Sequence, residues 1–422
     1  MRCPVCDKKE WKNVDHVRLK KSDMEQCQGC GYISYPKKYK SEEEIKAHYR
    51  TEYRPGPQAS ALFTGERKLQ YHSFFLNNLF KEWEEKGKDT PVIGEIGCAT
   101  GMFLNWVRDR FPQADIHGTE LTETYRRVAF HEFGLKLAEE FDTSKKYDLI
   151  ASYHVLEHQI DPDLRLAEYA ACLKDDGLFY LSAPVWFRDG TNSATGGFDI
   201  EYYWAPDHIN CWAEEHLEFI IAKAGLEIIY KNDDIYGNTY LLKKTTKTTM
   251  RPSFDVKKYL NLAERIFKCW QLINENKTTA AIETFPNCPS AWINHYELNR
   301  ANFHKSREEF DKFIKMSVDC CPNSSDTLMF AGDVLSRYER YDESYECLTK
   351  ALNKKPNNPT IIMGLSNCYR MKAKKSNDPK VKEELLRKSI NLLRFVIATS
   401  TEMMPQAISW IYQDEAQLEV PL

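Results

Sequence analysis

The sequence predicts an α/β domain built on a doubly wound parallel sheet, preceded by a short cysteine-bearing segment and followed by an all-α region. Three observations predict it. Short apolar runs alternate with amphipathic helical segments across the middle of the chain. Two Cys-x-x-Cys pairs stand near the start. After about residue 252 the apolar spacing is helical throughout, with almost no β-like run. A chain of 422 residues is also too long for one ordinary core.

Composition narrows the function classes. Hydrophobic residues at 42% and charged residues at 28% are those of an ordinary globular protein. A net charge of −4 supplies no field over the whole molecule toward nucleic acid or anionic lipid, although a local basic patch stays open. No apolar stretch approaches the roughly 18–20 residues needed to span a bilayer. The opening MRCPVCDKKEW has no apolar signal region, so a cytoplasmic location is expected. In such a setting thirteen cysteines point to reduced thiols and a metal site, not to a disulfide framework.

The first segment, 1–55, carries Cys3-x-x-Cys6 and Cys27-x-x-Cys30, separated by twenty residues. Two residues between ligands let one tight turn aim both thiolates at a tetrahedral ion, and two such knuckles close the shell. A closed shell has no position for substrate, so the expected role of Zn2+ here is structural, in a zinc ribbon-like segment. Unrelated reduced cysteines are the alternative. Ser41–Tyr49 reads as a helix with Ser41 as N-cap and Glu44 three residues on. Tyr53–Pro57 reads as a linker.

In the second region, 56–245, Arg67–Trp83 has helical spacing. Val92–Ile96, Asp115–Thr119, Tyr147–Ser152 and Leu178–Ala183 read as strands. Leu226–Tyr230 and Thr239–Lys243 read as a closing pair around Gly237–Asn238. Val92–Ile96 runs into a glycine-bearing loop and then an apolar helix, Met102–Val107. Gly97 and Gly101 let the backbone pass close to a ligand at that helix N-terminus. Glu95 at the strand end would repel a pyrophosphate and would suit an ammonium group. Glu120 ends the next strand twenty-three residues after Gly97, where a carboxylate can accept from both ribose hydroxyls. The cofactor so described is S-adenosylmethionine (SAM) before NAD; a Rossmann-like fold that has lost its ligand is the alternative.

From Cys3 to about Lys243 the sequence resembles class I SAM-dependent methyltransferases. It is most similar to the branch with an N-terminal zinc-binding segment, which includes sugar C-methyltransferases. Glu95-Ile96-Gly97-Cys98-Ala99-Thr100-Gly101 matches the ExGxGxG signature with Ala99 for the middle glycine, a mild change because alanine still permits close approach. The resemblance implies that Glu95 and Gly97 hold the methionine part of SAM and Glu120 the ribose, with Cys98, Ala99, Gly101 and Tyr153 completing the cofactor contacts. Tyr147–His158 resembles the fourth strand unit, and Leu173-Lys174-Asp175-Asp176-Gly177 the turn before the fifth.

Ligands of such sheets lie outside the carboxyl ends of the strands. His154, Glu157 and His158 follow a strand at i, i+3, i+4 spacing and are expected on one helical face. His154 as general base, a metal held by the trio, and a merely structural trio all stay open. The metal reading parallels a Glu-x-x-Glu-His arrangement of some ubiquinone-pathway enzymes, from which His154 departs. Tyr202, Tyr203, Trp204, His208 and Trp212 form an aromatic-rich stretch, read either as a lid for a ring-shaped acceptor or as a satellite core; His208 is the second candidate base.

Lys243–Pro252 is a polar bridge to the third region, 253–422. Ser325–Asn358 spans 34 residues and places Leu328, Gly332, Ser344, Leu348, Ala351 and Pro356 where a tetratricopeptide repeat wants them. A more degenerate repeat precedes it and a partial one follows; a generic helical bundle is the alternative. The functional expectation is methyl transfer to a small or carbohydrate-like acceptor, with the helical arm docking a protein partner. A macromolecular acceptor and a non-catalytic SAM-binding adaptor are the competing readings.

Overall fold

The computed structural model describes residues 2–13, 24–35, 41–51, 58–187, 208–233, 238–246, 254–322, 324–354, 358–400 and 403–418. They fall into two compact units, one from the described residues of 1–187 and 200–263, the other from those of 264–422. The expected linker Tyr53–Pro57, most of Lys243–Pro252, the turn residue Gly237, Pro356, and the aromatic residues Tyr202, Tyr203 and Trp204 lie outside the described residues. No helix of the described residues is long and apolar enough to cross a membrane.

The first unit opens with three short strands, β1 (Trp11–Asn13), β2 (Glu25–Cys27) and β3 (Ile33–Ser34), then helices α1 (Glu42–Thr51) and α2 (Gln58–Glu85). The Ser41 hydroxyl accepts from the Glu44 N–H, the cap expected there. Strands β4 (Val92–Ile96), β5 (Asp115–Thr119), β6 (Tyr147–Tyr153) and β7 (Leu173–Ala183) alternate with α3 (Met102–Arg110), α4 (Glu123–Phe133) and α5 (Pro162–Ala171). Then come β8 (Val185–Phe187), β9 (Asn210–Ala213), α6 (Glu214–Lys223), β10 (Leu226–Asp233) and β11 (Asn238–Lys244).

The main sheet has the order β10-β11-β7-β6-β4-β5. Strands β7, β6, β4 and β5 are parallel, and β11 and β10 close the other edge as an antiparallel hairpin. The chain starts in the middle at β4, adds β5 on one side, then returns to β6 on the other. That reversal opens a crevice beyond the carboxyl ends of β4 and β6. Every residue of β6 is buried, as a strand covered on both faces must be. Its Leu149 and Ala151 join a core with Phe80, Phe103 and Val107, while Ile150 joins the opposite core with Phe179, Leu181 and Leu217.

Leu173–Gly177 is a correction to the expected turn: it is the start of β7. Between Tyr147 and Leu149 of β6 the partner register advances from Leu173 to Leu178, so the extra residues are absorbed as a bulge.

A second sheet, β1-β2-β3-β9-β8, joins the N-terminal segment to the stretch after β7. Ile33 pairs with Cys211 and Ser34 with Asn210. Cys3, Cys6, Cys27, Cys30 and Tyr32 share one core with Trp212, Leu217 and Ile220.

The second unit is helical: α7 (Val256–Asn274, from Glu264 on), α8 (Thr278–Thr284), α9 (Pro289–Phe303), α10 (Arg307–Cys320), α11 (Ser325–Arg337), α12 (Tyr341–Lys354), α13 (Pro359–Lys375), α14 (Pro379–Thr399) and α15 (Met404–Leu418). Side chains of Ser306, Ser324, Asn358 and Asp378 cap their helices. Gly332 lets α11 meet α12 closely: a Cβ there would lie 2.6 Å from Leu348 Cγ, and the Ser344 hydroxyl donates to the Gly332 carbonyl at 2.6 Å.

Candidate functional site

The loop after β4 is built from three left-handed residues, Gly97 (φ 63°), Ala99 (φ 51°) and Gly101 (φ 72°). Ala99 therefore does more than permit close approach. It holds a backbone conformation that costs a residue with a Cβ about 1–2 kcal/mol, so its substitution for glycine is a strained one and not the mild change expected. A Cβ on Gly97 would lie 2.6 Å from Val155 Cγ2, so the loops after β4 and β6 touch across the crevice.

Glu120 braces this loop. One carboxylate oxygen accepts from the Ala99 N–H at 3.0 Å and the other from the Thr122 N–H at 2.8 Å. Each oxygen keeps a lone pair that a hydroxyl can use. Cys98 contributes its backbone only: the thiol is buried beside Gly118, and burial with the charges of Glu95 and Glu120 pushes its pKa well up.

Glu95 is 1% exposed, and neither carboxylate oxygen accepts a hydrogen bond among the described residues. Its Oε1 lies 3.3 Å from Nε2 of the fully buried His72. Burial lowers the His72 pKa by more than Glu95 raises it, so the ring is neutral at pH 7 and does not pay for the charge. Lys68 of α2 donates to the Gly97 carbonyl. An ammonium group thus already stands at this loop, beside an unsatisfied buried carboxylate. Sequence reasoning missed Lys68 and His72, since inside a long helical pattern nothing distinguishes them from other polar positions.

Tyr153 ends β6 at the same crevice, its ring 5.6 Å from that of His72. His154 follows with φ 55° and its N–H donating to the Ser182 carbonyl at 2.9 Å. The helical face expected for His154, Glu157 and His158 is therefore corrected: His154 is a left-handed corner outside the single 3-10 turn Leu156–His158. Instead Glu157, His158 and His208 converge, their ligand atoms all within 4.8 Å of one another. His154 Nδ1 stands 3.5 Å from Glu157 Oε1. Glu157 is fully buried and its pKa is pushed up to about 8 by burial. Trp212, of the stretch read either as a lid or as a satellite core, is a core residue.

At the N-terminal segment the four thiols converge as the knuckle spacing predicts. Cys3 and Cys30 sulfurs are 3.6 Å apart, Cys6 and Cys27 sulfurs 3.5 Å, and all four lie within 4.8 Å. The edge of a tetrahedron with ~2.3 Å zinc–sulfur bonds is about 3.8 Å. Hydrogen bonding among the thiols pushes Cys6 and Cys27 down and Cys3 and Cys30 up, so full deprotonation of the set calls for a cation.

Residues 70–231 match the family model described as a methyltransferase domain. A malonyl-[acyl-carrier protein] O-methyltransferase of Halalkalibacterium halodurans is 27% identical over 198 residues, which are 44% of this chain and 62% of that protein. The chain thus spans less than two thirds of the length of this curated relative. Among solved structures, Streptomyces venezuelae DesVI is similar at 14% identity and a TM-score of 0.34, covering 45% of this chain and 99% of that one. The amino pentose methyltransferase CalS10 of Micromonospora echinaspora, solved with SAM bound, is similar at 17% identity and a TM-score of 0.33, covering 45% of this chain and 98% of that one. It is the central part of this chain that is similar to methyltransferase domains.

Proposed function

We propose that the chain transfers a methyl group from SAM to a small or carbohydrate-like acceptor. The observation that carries this is Glu95: a buried carboxylate with no hydrogen-bond partner among the described residues, beside a loop whose Gly97 carbonyl already holds an ammonium. A carboxylate so placed selects a cationic ligand end over a pyrophosphate. In this reading Glu95 and Gly97 hold the cofactor's ammonium once Lys68 gives way. Glu120 takes the ribose hydroxyls, and Cys98, Ala99, Gly101 and Tyr153 line the remainder.

SAM supplies an already activated methyl group, so the protein's task is to align, to exclude water, and to remove a proton from poor nucleophiles. In this reading the base is one of two imidazoles, His154 or His208. Cys3, Cys6, Cys27 and Cys30 hold a structural zinc ion, and the thiol-rich chain suits a reducing, cytoplasmic setting. The functional division is 1–55 for zinc, 56–245 for methyl transfer and 253–422 for docking.

A docking role for 253–422 is favoured by one regularity. Arg307 and Tyr341 begin their helices 34 residues apart, as do Ser325 and Pro359, the period of tetratricopeptide repeats. Such an arm would also serve a macromolecular acceptor. The deciding experiment is transfer from tritiated-methyl SAM to a cell extract separated into small molecules, glycans, RNA and protein. Label in the small-molecule or glycan fraction is expected; label confined to protein or RNA would overturn the acceptor class.

A further inference from the structure

We infer that Glu157, His158 and His208 form a divalent-cation site, separate from the four cysteines, of the kind that takes borderline first-row ions through imidazole and carboxylate together. The ligand atoms of all three lie within 4.8 Å of one another. Glu157 Oε1 and His158 Nε2 are 3.7 Å apart, against about 3.4 Å between donors ~2.1 Å from one tetrahedral ion. The spacing needs only a small closure.

The second observation is the state of Glu157 itself. It is fully buried, and neither oxygen accepts a hydrogen bond among the described residues. A buried carboxyl with no hydrogen-bond partner is costly to the fold whether neutral or ionised, and a bound cation offsets that cost. Lys68, whose field reaches Glu157, is engaged by the Gly97 carbonyl. The two histidines instead bring ring nitrogens, which bind a metal in the neutral form and then leave the ion's charge to face the carboxylate.

The site is also braced from outside. The Asn210 amide donates to the carbonyls of Leu156, Glu157 and Gln159 at 3.3, 3.1 and 2.6 Å. The Tyr32 hydroxyl in turn donates to the Asn210 side-chain oxygen. Asn210 lies two residues beyond His208, so one side chain fixes the turn that carries Glu157 and His158 against the segment that carries His208. This is the outer support that metal ligands need to hold their aim. Three protein ligands leave positions open for water or an acceptor oxygen. With His208 on the ion, His154 is left as the base of the proposed reaction.

The test is a cobalt titration of the purified full chain with its cysteines loaded with zinc, followed by absorption. A single equivalent of Co2+ is expected, with ligand-field bands and no thiolate-to-cobalt charge transfer. Binding should weaken at least about tenfold in Glu157→Gln and in His208→Ala. Zinc content and melting curves report the fold, and Glu157→Gln, which keeps the shape, decides the matter if His208→Ala does not fold. Cobalt bound no more tightly by the parent chain than by Glu157→Gln, or seen only with sulfur charge transfer, would overturn the site. Because the readout is the ion, absence of SAM binding would sink the methyl-transfer reading without touching this one.

Discussion

Two buried carboxylates, Asp414 in the helical unit and Glu157 in the α/β unit, are treated in opposite ways. Asp414 accepts from Arg370 Nε at 2.8 Å and from the Ser389 hydroxyl at 2.7 Å, while Arg370 also donates to Gln413 and stacks 4.5 Å from the Trp410 ring. Glu157 has only imidazoles 3.5 and 3.7 Å away and no hydrogen bond among the described residues. A fully paired buried charge serves the fold in which it sits. An unpaired one is a cost to the fold, and such costs cluster where a ligand repays them. Glu157 also sits next to backbone strain: left-handed His154 turns the chain just before it, as left-handed Ala99 does in the loop beside unsatisfied Glu95.

The contrast can be broken at its strongest point first. Asp414→Ala leaves Arg370 buried without its partner and is expected to cost the helical unit about 3–5 kcal/mol, read from the denaturant midpoint of that unit. Asn210→Ala removes the amide that ties three carbonyls of the site turn. It should cost about 1–3 kcal/mol, and it should weaken cobalt binding as well. Ala99→Gly relieves the left-handed alanine at some cost in chain entropy, so a gain of up to about 1 kcal/mol is expected in thermal unfolding. Glu157→Gln is expected to move stability by less than about 1 kcal/mol in either direction, because there is no hydrogen bond to lose. A loss as large as that of Asp414→Ala would show that Glu157 is structural and erase the contrast.

Much of this was legible in the sequence. Val92–Ile96 and Asp115–Thr119 are strands with the bounds expected, since each apolar run stops at a residue with a job at its carboxyl end. Cys3, Cys6, Cys27 and Cys30 meet as their spacing predicts. The second sheet was not legible, because strands of two to four residues carry no periodicity and β3 finds its partner β9 some 177 residues along the chain. Pairing at that distance is decided by tertiary packing. The corner at His154 was also hidden: helical spacing after a strand says nothing about a left-handed residue that redirects the chain. For the same reason the convergence of His208 on Glu157 and His158 could not be seen, as it depends on where Asn210 anchors the turn.

Glu95 remains the residue on which the functional account turns. The most direct measurement is isothermal titration of the full chain with SAM, beside the same titration of Glu95→Gln. The account predicts binding by the parent chain at one site and at least about tenfold weaker binding by the variant, since the amide cannot balance the cofactor's ammonium. No heat of binding in the parent chain, or equal affinity in both, would contradict it.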